Sequence, residues 1–175
     1  MRWSLSLPEH DDGPRPRTGR WARSRSQGSL LGLCYASRAS RRLDGGDLLP
    51  LVRDARAYNV AHEITGCLLY GAGYVIQVLE GPPRHVLELF RRIRADRRHV
   101  DVHTVCAGPV HGRAFEGSPL EFHDLDFGPY AACESLRDEL SVLYFAPEGE
   151  LAEVLELVEG VRALRTGAEA ATALA

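Results

Sequence analysis

The segment Tyr74–Gly81, Tyr-Val-Ile-Gln-Val-Leu-Glu-Gly, constrains this chain more than any other. Read as a strand, its alternation sends Val75, Gln77 and Leu79 to one sheet face and Tyr74, Ile76 and Val78 to the other. Both faces are apolar, so the strand must be covered on both sides, and Gln77 has no wet direction in which to point. A buried carboxamide left without partners costs about 1–3 kcal/mol. Something must therefore meet both its donor end and its acceptor end.

The 175 residues, 45% of them hydrophobic, suit one domain with a real core and ragged ends. No apolar run approaches the roughly 20 residues that span a bilayer. Met1–Ser29 has no apolar stretch after its charges, so no secretion signal is read there and the cytoplasm is the expected compartment. The four cysteines, Cys34, Cys67, Cys106 and Cys133, fall one per segment without C-x-x-C spacing and are expected as free, mostly buried thiols. The formal charge of −3 is divided: residues 1–29 carry a local +3, which leaves −6 for the rest. No nucleic-acid partner is expected from this balance.

Met1–Ser29, rich in Pro, Gly, Ser and Arg and without periodicity, reads as a disordered extension or an upstream start. Leu30–Ser37 reads as a strand, with Leu31, Leu33, Tyr35 and Ser37 on one face. A helix follows, with Asp47 as its expected N-cap and Leu48, Val52, Ala55 and Asn59 as its inward stripe. Glu63–Tyr70 reads as a second strand, joined through Gly71-Ala72-Gly73 to Tyr74–Gly81. Val86, Leu89, Phe90 and Ile93 mark a second helix, Val100–Ala107 a fourth strand and Leu120–Phe127 a fifth. The order β-α-β-β-α-β-β is that of an α+β, ferredoxin-like sandwich with two helices on one sheet face.

Two extra C-terminal helices, Cys133–Phe145 and Gly149–Arg165, are expected next, the last stopped by Gly167. They would cover the other sheet face or pair with a second copy. The resulting division is an N-terminal extension at 1–29, a domain at 30–128, a helical cap at 129–167 and a disordered tail at 168–175. About 45 residues after the fifth strand are too few for a catalytic or DNA-binding effector unit, so no enzyme activity is expected and the output would be a partner or self-assembly.

The face between sheet and helices gathers Tyr35, Asn59 and Gln77. Alone, a buried Tyr finds a carbonyl and an Asn near a helix end caps it. Converging with a Gln that has no structural excuse, they suit a flat heteroaromatic ligand rich in carbonyl and ring-nitrogen acceptors.

These residues resemble the blue-light sensor family that uses flavin, BLUF. The resemblance runs from about Leu31 to Phe127 and rests on Leu33-Cys-Tyr-Ala-Ser37, Asn59, Ile64-Thr-Gly66, Gln77-Val-Leu-Glu-Gly81, Asp96-Arg-Arg-His99 and Gly108-Pro-Val110 with Phe115. It implies a flavin, FAD or else FMN, lying between the two helices with its ring edge toward the sheet. It implies Tyr35 as electron and proton donor and Gln77 as hydrogen-bond relay. Asn59 would hold the ring's carbonyl edge, and Asp96, Arg98 and His99 its polar edge or ribityl chain. Ser37 and Ile64 complete the implied cofactor-binding set. The signal relay falls on Ser118 and Leu120, where many members carry Trp and Met; the only Met here is Met1. The implied partners are flavin, a second copy of the chain and an unnamed downstream protein, with no membrane.

Three competing readings exist. A flavin-free ferredoxin-like interaction or dimerisation module would be colourless. An acylphosphatase-like enzyme lacks a Gly-rich phosphate loop before the first helix. A metal site from His99, Asp101 and His103 competes with a plain solvated strand face.

Overall fold

The computed structural model describes residues 30–146 and 151–173, backbone alone from residue 168. The expectation for 1–29 lies outside the described residues. Five strands form one sheet: β1 (Leu30–Ala39), β2 (Thr65–Gly71), β3 (Tyr74–Gly81), β4 (His99–Val110) and β5 (Glu121–Asp124). Helices α1 (Gly45–Ala61) and α2 (Pro83–Ala95) are the crossovers, and α3 (Glu134–Phe145) and α4 (Leu151–Ala173) follow a short 3₁₀ turn at Gly128–Tyr130. The strand order is β4-β1-β3-β2-β5, antiparallel except for β2 beside β5. This is the ferredoxin-like arrangement anticipated from the sequence.

Alternation along β1, β2 and β3 divides the core in two. Leu33, Tyr35, Tyr70, Val75 and Leu79 pack with Leu48 of α1 and with Val86 and Phe90 of α2. Cys34, Ala36, Cys67, Leu69, Ile76 and Val78 face the other way, against Leu136 and Leu140 of α3 and Val154, Val158 and Val161 of α4. The two C-terminal helices thus cover the second face. Arg162 of α4 holds them there, donating to Glu121 of β5 at 2.5 and 2.8 Å, while His123 bridges Glu121 and Tyr130.

The glycines of Ile64-Thr-Gly66 and Gln77-Val-Leu-Glu-Gly81 are close-approach positions. A Cβ on Gly66 would lie 1.9 Å from the Val78 carbonyl oxygen, and one on Gly81 would lie 2.9 Å from that of Glu63. At the β2–β3 turn, Ala72 and Gly73 both have positive φ, 51° and 83°, as a two-residue hairpin needs. Asp126 Oδ1 accepts the Ala72 N–H at 3.0 Å and steadies the left-handed alanine.

Several boundaries differ from expectation. The N-cap of α1 is Asp44, and Asp47 sits at its third helical position in a reciprocal capping box. Asp47 is also held by Arg41 at 2.7 Å through both carboxylate oxygens. Pro50 consequently lies beyond the free first turn and costs the helix one backbone bond. Strand β5 ends at Asp124, where its side chain accepts the Asp126 N–H and the chain turns. Helix α4 runs through Gly167 to Ala173, because one glycine costs only about 1 kcal/mol and the Ala-rich sequence after it favours helix.

Candidate functional site

Between the sheet and helices α1 and α2 lies a cavity of about 370 Å³, within the roughly 300–1,000 Å³ usual for ligand sites. Its walls include Tyr35, Leu68, Val75 and Gln77 from the sheet, Leu48, Val52, Tyr58 and Asn59 from α1, and Leu89, Arg92 and Ile93 from α2. Asp96, Arg98, His99 and Leu120 close its ends.

Tyr35 and Gln77 are register partners across β1 and β3, so the sheet itself brings phenol and carboxamide together. Tyr35 Oη donates to Gln77 Oε1 at 2.5 Å. Tyr35 is completely buried, and burial pushes its phenol far above the usual range, so the proton stays on the oxygen. Gln77 is 7% exposed, and with its oxygen taken by the Tyr35 hydroxyl its amide nitrogen is the end left to meet a ligand in the cavity it lines.

Asn59 closes α1 with its backbone carbonyl, which accepts from His62 and Ile64. Its side chain does not cap. Nδ2 donates to the Pro119 carbonyl at 2.7 Å, and Oδ1 is buried without a partner. The Tyr58 hydroxyl, one residue earlier, is the other buried side-chain polar atom without a partner among the described residues. The Tyr58 ring is stacked on His62 at 3.9 Å, and the Arg92 guanidinium lies over it at 4.6 Å.

At the far end, Asp96 and Arg98 form a two-atom ion pair that holds the Asp96 carboxyl below its usual value. His99 shares a 2.8 Å hydrogen bond between Nδ1 and Ser37 Oγ, and burial lowers its pKa, favouring the neutral ring. Six anticipated residues, Tyr35, Asn59, Gln77, Asp96, Arg98 and His99, therefore line one cavity. Ser37 and Ile64 do not: Ser37 stands behind His99, and Ile64 is packed in the adjoining core. Leu120 lines the cavity, whereas Ser118 lies outside it, its carbonyl accepting from Gly66 N–H. Among the described residues no cluster of three metal-type ligands occurs; Asp101 pairs with Arg38.

Tyr58 and Arg92 escaped the sequence reading, although Tyr58 adjoins Asn59 and Arg92 sits one residue before the Ile93 of the apolar stripe. So did the role of Glu80. Fully buried, it accepts the Ala114 and Phe115 N–H groups at 2.9 and 3.2 Å and ties β3 to the loop before β5.

An isoalloxazine ring fits these demands. It offers one ring N–H between two carbonyls, which answers the orphaned Asn59 oxygen, and acceptors for the Gln77 amide, between apolar walls. The fold and cavity thus define a ferredoxin-like domain built to hold one flat, hydrogen-bonding ligand against its sheet.

The family model described as BLUF, sensors of blue-light using FAD, matches residues 30–121. Photoactivated adenylate cyclase subunit alpha of Euglena gracilis is 39% identical over 117 residues, 67% of this chain and 11% of that protein. Photoactivated adenylate cyclase subunit beta of Euglena longa is 41% identical over 87 residues, 50% of this chain and 10% of that protein. The chain spans about a tenth of the length of these relatives. Among solved structures, the dark state of the BLUF protein BlrB aligns with a TM-score of 0.64 at 27% identity, covering 77% of this chain and 98% of that one. Klebsiella pneumoniae BlrP1 with FMN and cyclic diGMP aligns with a TM-score of 0.57 at 27% identity, covering 76% and 36%. The chain belongs to the BLUF family and is a flavin-binding sensor of blue light.

Proposed function

We propose that the flavin is FAD, with FMN the alternative, and that light is converted to signal by Tyr35 and Gln77. Bound flavin supplies the light absorption and, once excited, the oxidising power that a phenol cannot meet in the dark. Tyr35 is the one-electron donor. Losing an electron makes its O–H strongly acidic, and the proton has an acceptor at 2.5 Å in Gln77 Oε1. Gln77, with one donor end and one acceptor end, then rotates or tautomerises and presents a changed pattern to the cavity. Such a step turns over no substrate. The observation that carries this reading is the Tyr35–Gln77 bond in a cavity where the Asn59 oxygen lacks a donor.

Asn59 Oδ1 is the acceptor for the ring N–H, since its amide nitrogen is committed to Pro119. Asp96, Arg98 and His99 hold the polar edge or ribityl chain. Output passes through residues 118–120: Gly66 donates to the carbonyl of Ser118, Asn59 to that of Pro119 and Arg56 to that of Leu120. Glu121, the next residue, grips Arg162 of α4. A changed Gln77 biases this segment, and α3 and α4 present the result to a second copy or a downstream partner. The test is flavin content and a reversible long-wavelength absorption shift after blue light; a colourless protein that takes up no added FAD or FMN would favour a flavin-free interaction module.

A further inference from the structure

The sequence separates the four cysteines, but the sheet brings two of them together. Cys34 of β1 and Cys106 of β4 are register partners, so their side chains leave the same sheet face, the one covered by α3 and α4. Partner Cα atoms in an antiparallel pair lie about 4.5–5.5 Å apart, inside the roughly 4.4–6.8 Å that a disulfide spans. Cys67 is in the same row, but Val78 of β3 stands between it and Cys34. Cys133 precedes α3, its sulfur 3.2 Å from the Ser135 hydroxyl.

We propose that Cys106 and Cys34 are a peroxide-responsive thiol pair that closes to a disulfide across β1 and β4. Cys106 is the attacking sulfur. It lies on the edge strand and is half-buried, whereas Cys34 is completely buried. This difference in exposure divides the pair into nucleophile and resolving thiol; in the same sense, Cys34 beside it lowers the Cys106 pKa, while Cys106 and burial raise that of Cys34.

The Cys106 thiolate attacks one oxygen of a hydroperoxide. An S–O bond forms, the O–O bond breaks, and the released hydroxide or alkoxide takes up the thiol's proton, leaving a sulfenic acid. Cys34 sulfur then attacks Cys106 Sγ. The S–S bond forms, the S–O bond breaks, and hydroxide leaves as water with the Cys34 proton. Two thiols lose two electrons and two protons, and the peroxide is reduced to water and water or alcohol. The chemistry does not depend on flavin. Its position matters to Tyr35, because the β1–β4 register shifts between Cys34 and Tyr35, and the link would pin the strand beside that irregularity.

The test is made on the folded full chain with hydrogen peroxide, followed by denaturation, alkylation and peptide mapping. Alkylated thiols should fall from the four in the sequence to two, with one linked peptide pair containing Cys34 and Cys106, and dithiothreitol should restore all four. In Cys34→Ser, the reaction should stop at a Cys106 sulfenic acid that dimedone traps. Four alkylated thiols after peroxide, or losses mapping to Cys67, to Cys133 or between chains, would overturn the proposal. The wild-type map decides even if the variant does not fold.

Discussion

Tyr35 and Gln77 face each other across two central strands, hydrogen-bonded at 2.5 Å, with the phenol as donor and the carboxamide oxygen as acceptor. The contact is set by strand register rather than by a flexible loop. Shifting β1 by one residue would send Tyr35 to the opposite face.

Tyr35→Phe should fold and bind flavin, because Phe fills the same buried volume. Loss of the hydroxyl leaves Gln77 Oε1 without its donor, at a cost of about 1–3 kcal/mol in unfolding free energy. The reversible absorption shift should disappear; its persistence would remove Tyr35 as donor.

Gln77→Leu should likewise fold, since leucine suits a strand that is apolar on both faces. The orphaned Tyr35 hydroxyl should cost about 1–3 kcal/mol, read from denaturant midpoints, and the shift should vanish. A variant unable to fold would mark the amide as structural instead.

Asn59→Ala removes the clasp on the Pro119 carbonyl and the acceptor offered to the ring. Flavin should bind at least about tenfold more weakly, as loss of about 1.4 kcal/mol requires. Fluorescence titration of the apoprotein checks this, and unchanged affinity would show that Asn59 serves only the loop.

Arg162, aided by the His123 hydrogen bond, lowers the Glu121 carboxyl to about 2 from an ordinary 4.5. A folded-state value below the unfolded one contributes stability above about pH 4.5 and loses it as pH falls toward 2. Burial lowers the His123 pKa below 6.5, so protonation of the unfolded chain begins the decline at milder acidity. Arg162→Met should flatten the loss between pH 4.5 and 2, measured as urea midpoint against pH. Parallel curves for the two proteins would contradict the ion pair's role.

Much of this was legible because hydrophobic alternation in Tyr74–Gly81 forces two covered faces, and the spacing of Tyr35, Asn59 and Gln77 then converges on one of them. What escaped depends on contacts distant in sequence. Glu80 meets its partners in residues 114 and 115. The Cys34–Cys106 pairing needs the β4-β1 strand order. Tyr58 and Arg92 meet only when α1 and α2 lie side by side over the sheet. The shift of the α1 cap from Asp47 to Asp44 is local: two aspartates three apart both suit the role, and only the reciprocal bonds choose between them.

The most direct measurement is the absorption spectrum of the purified chain, reconstituted with FAD, before and after blue light. A flavin spectrum that moves to longer wavelength and recovers in the dark is the expected result. A chain that takes up neither FAD nor FMN, or one whose bound flavin keeps an unchanged spectrum under illumination, would contradict Tyr35 and Gln77 as the light-driven pair.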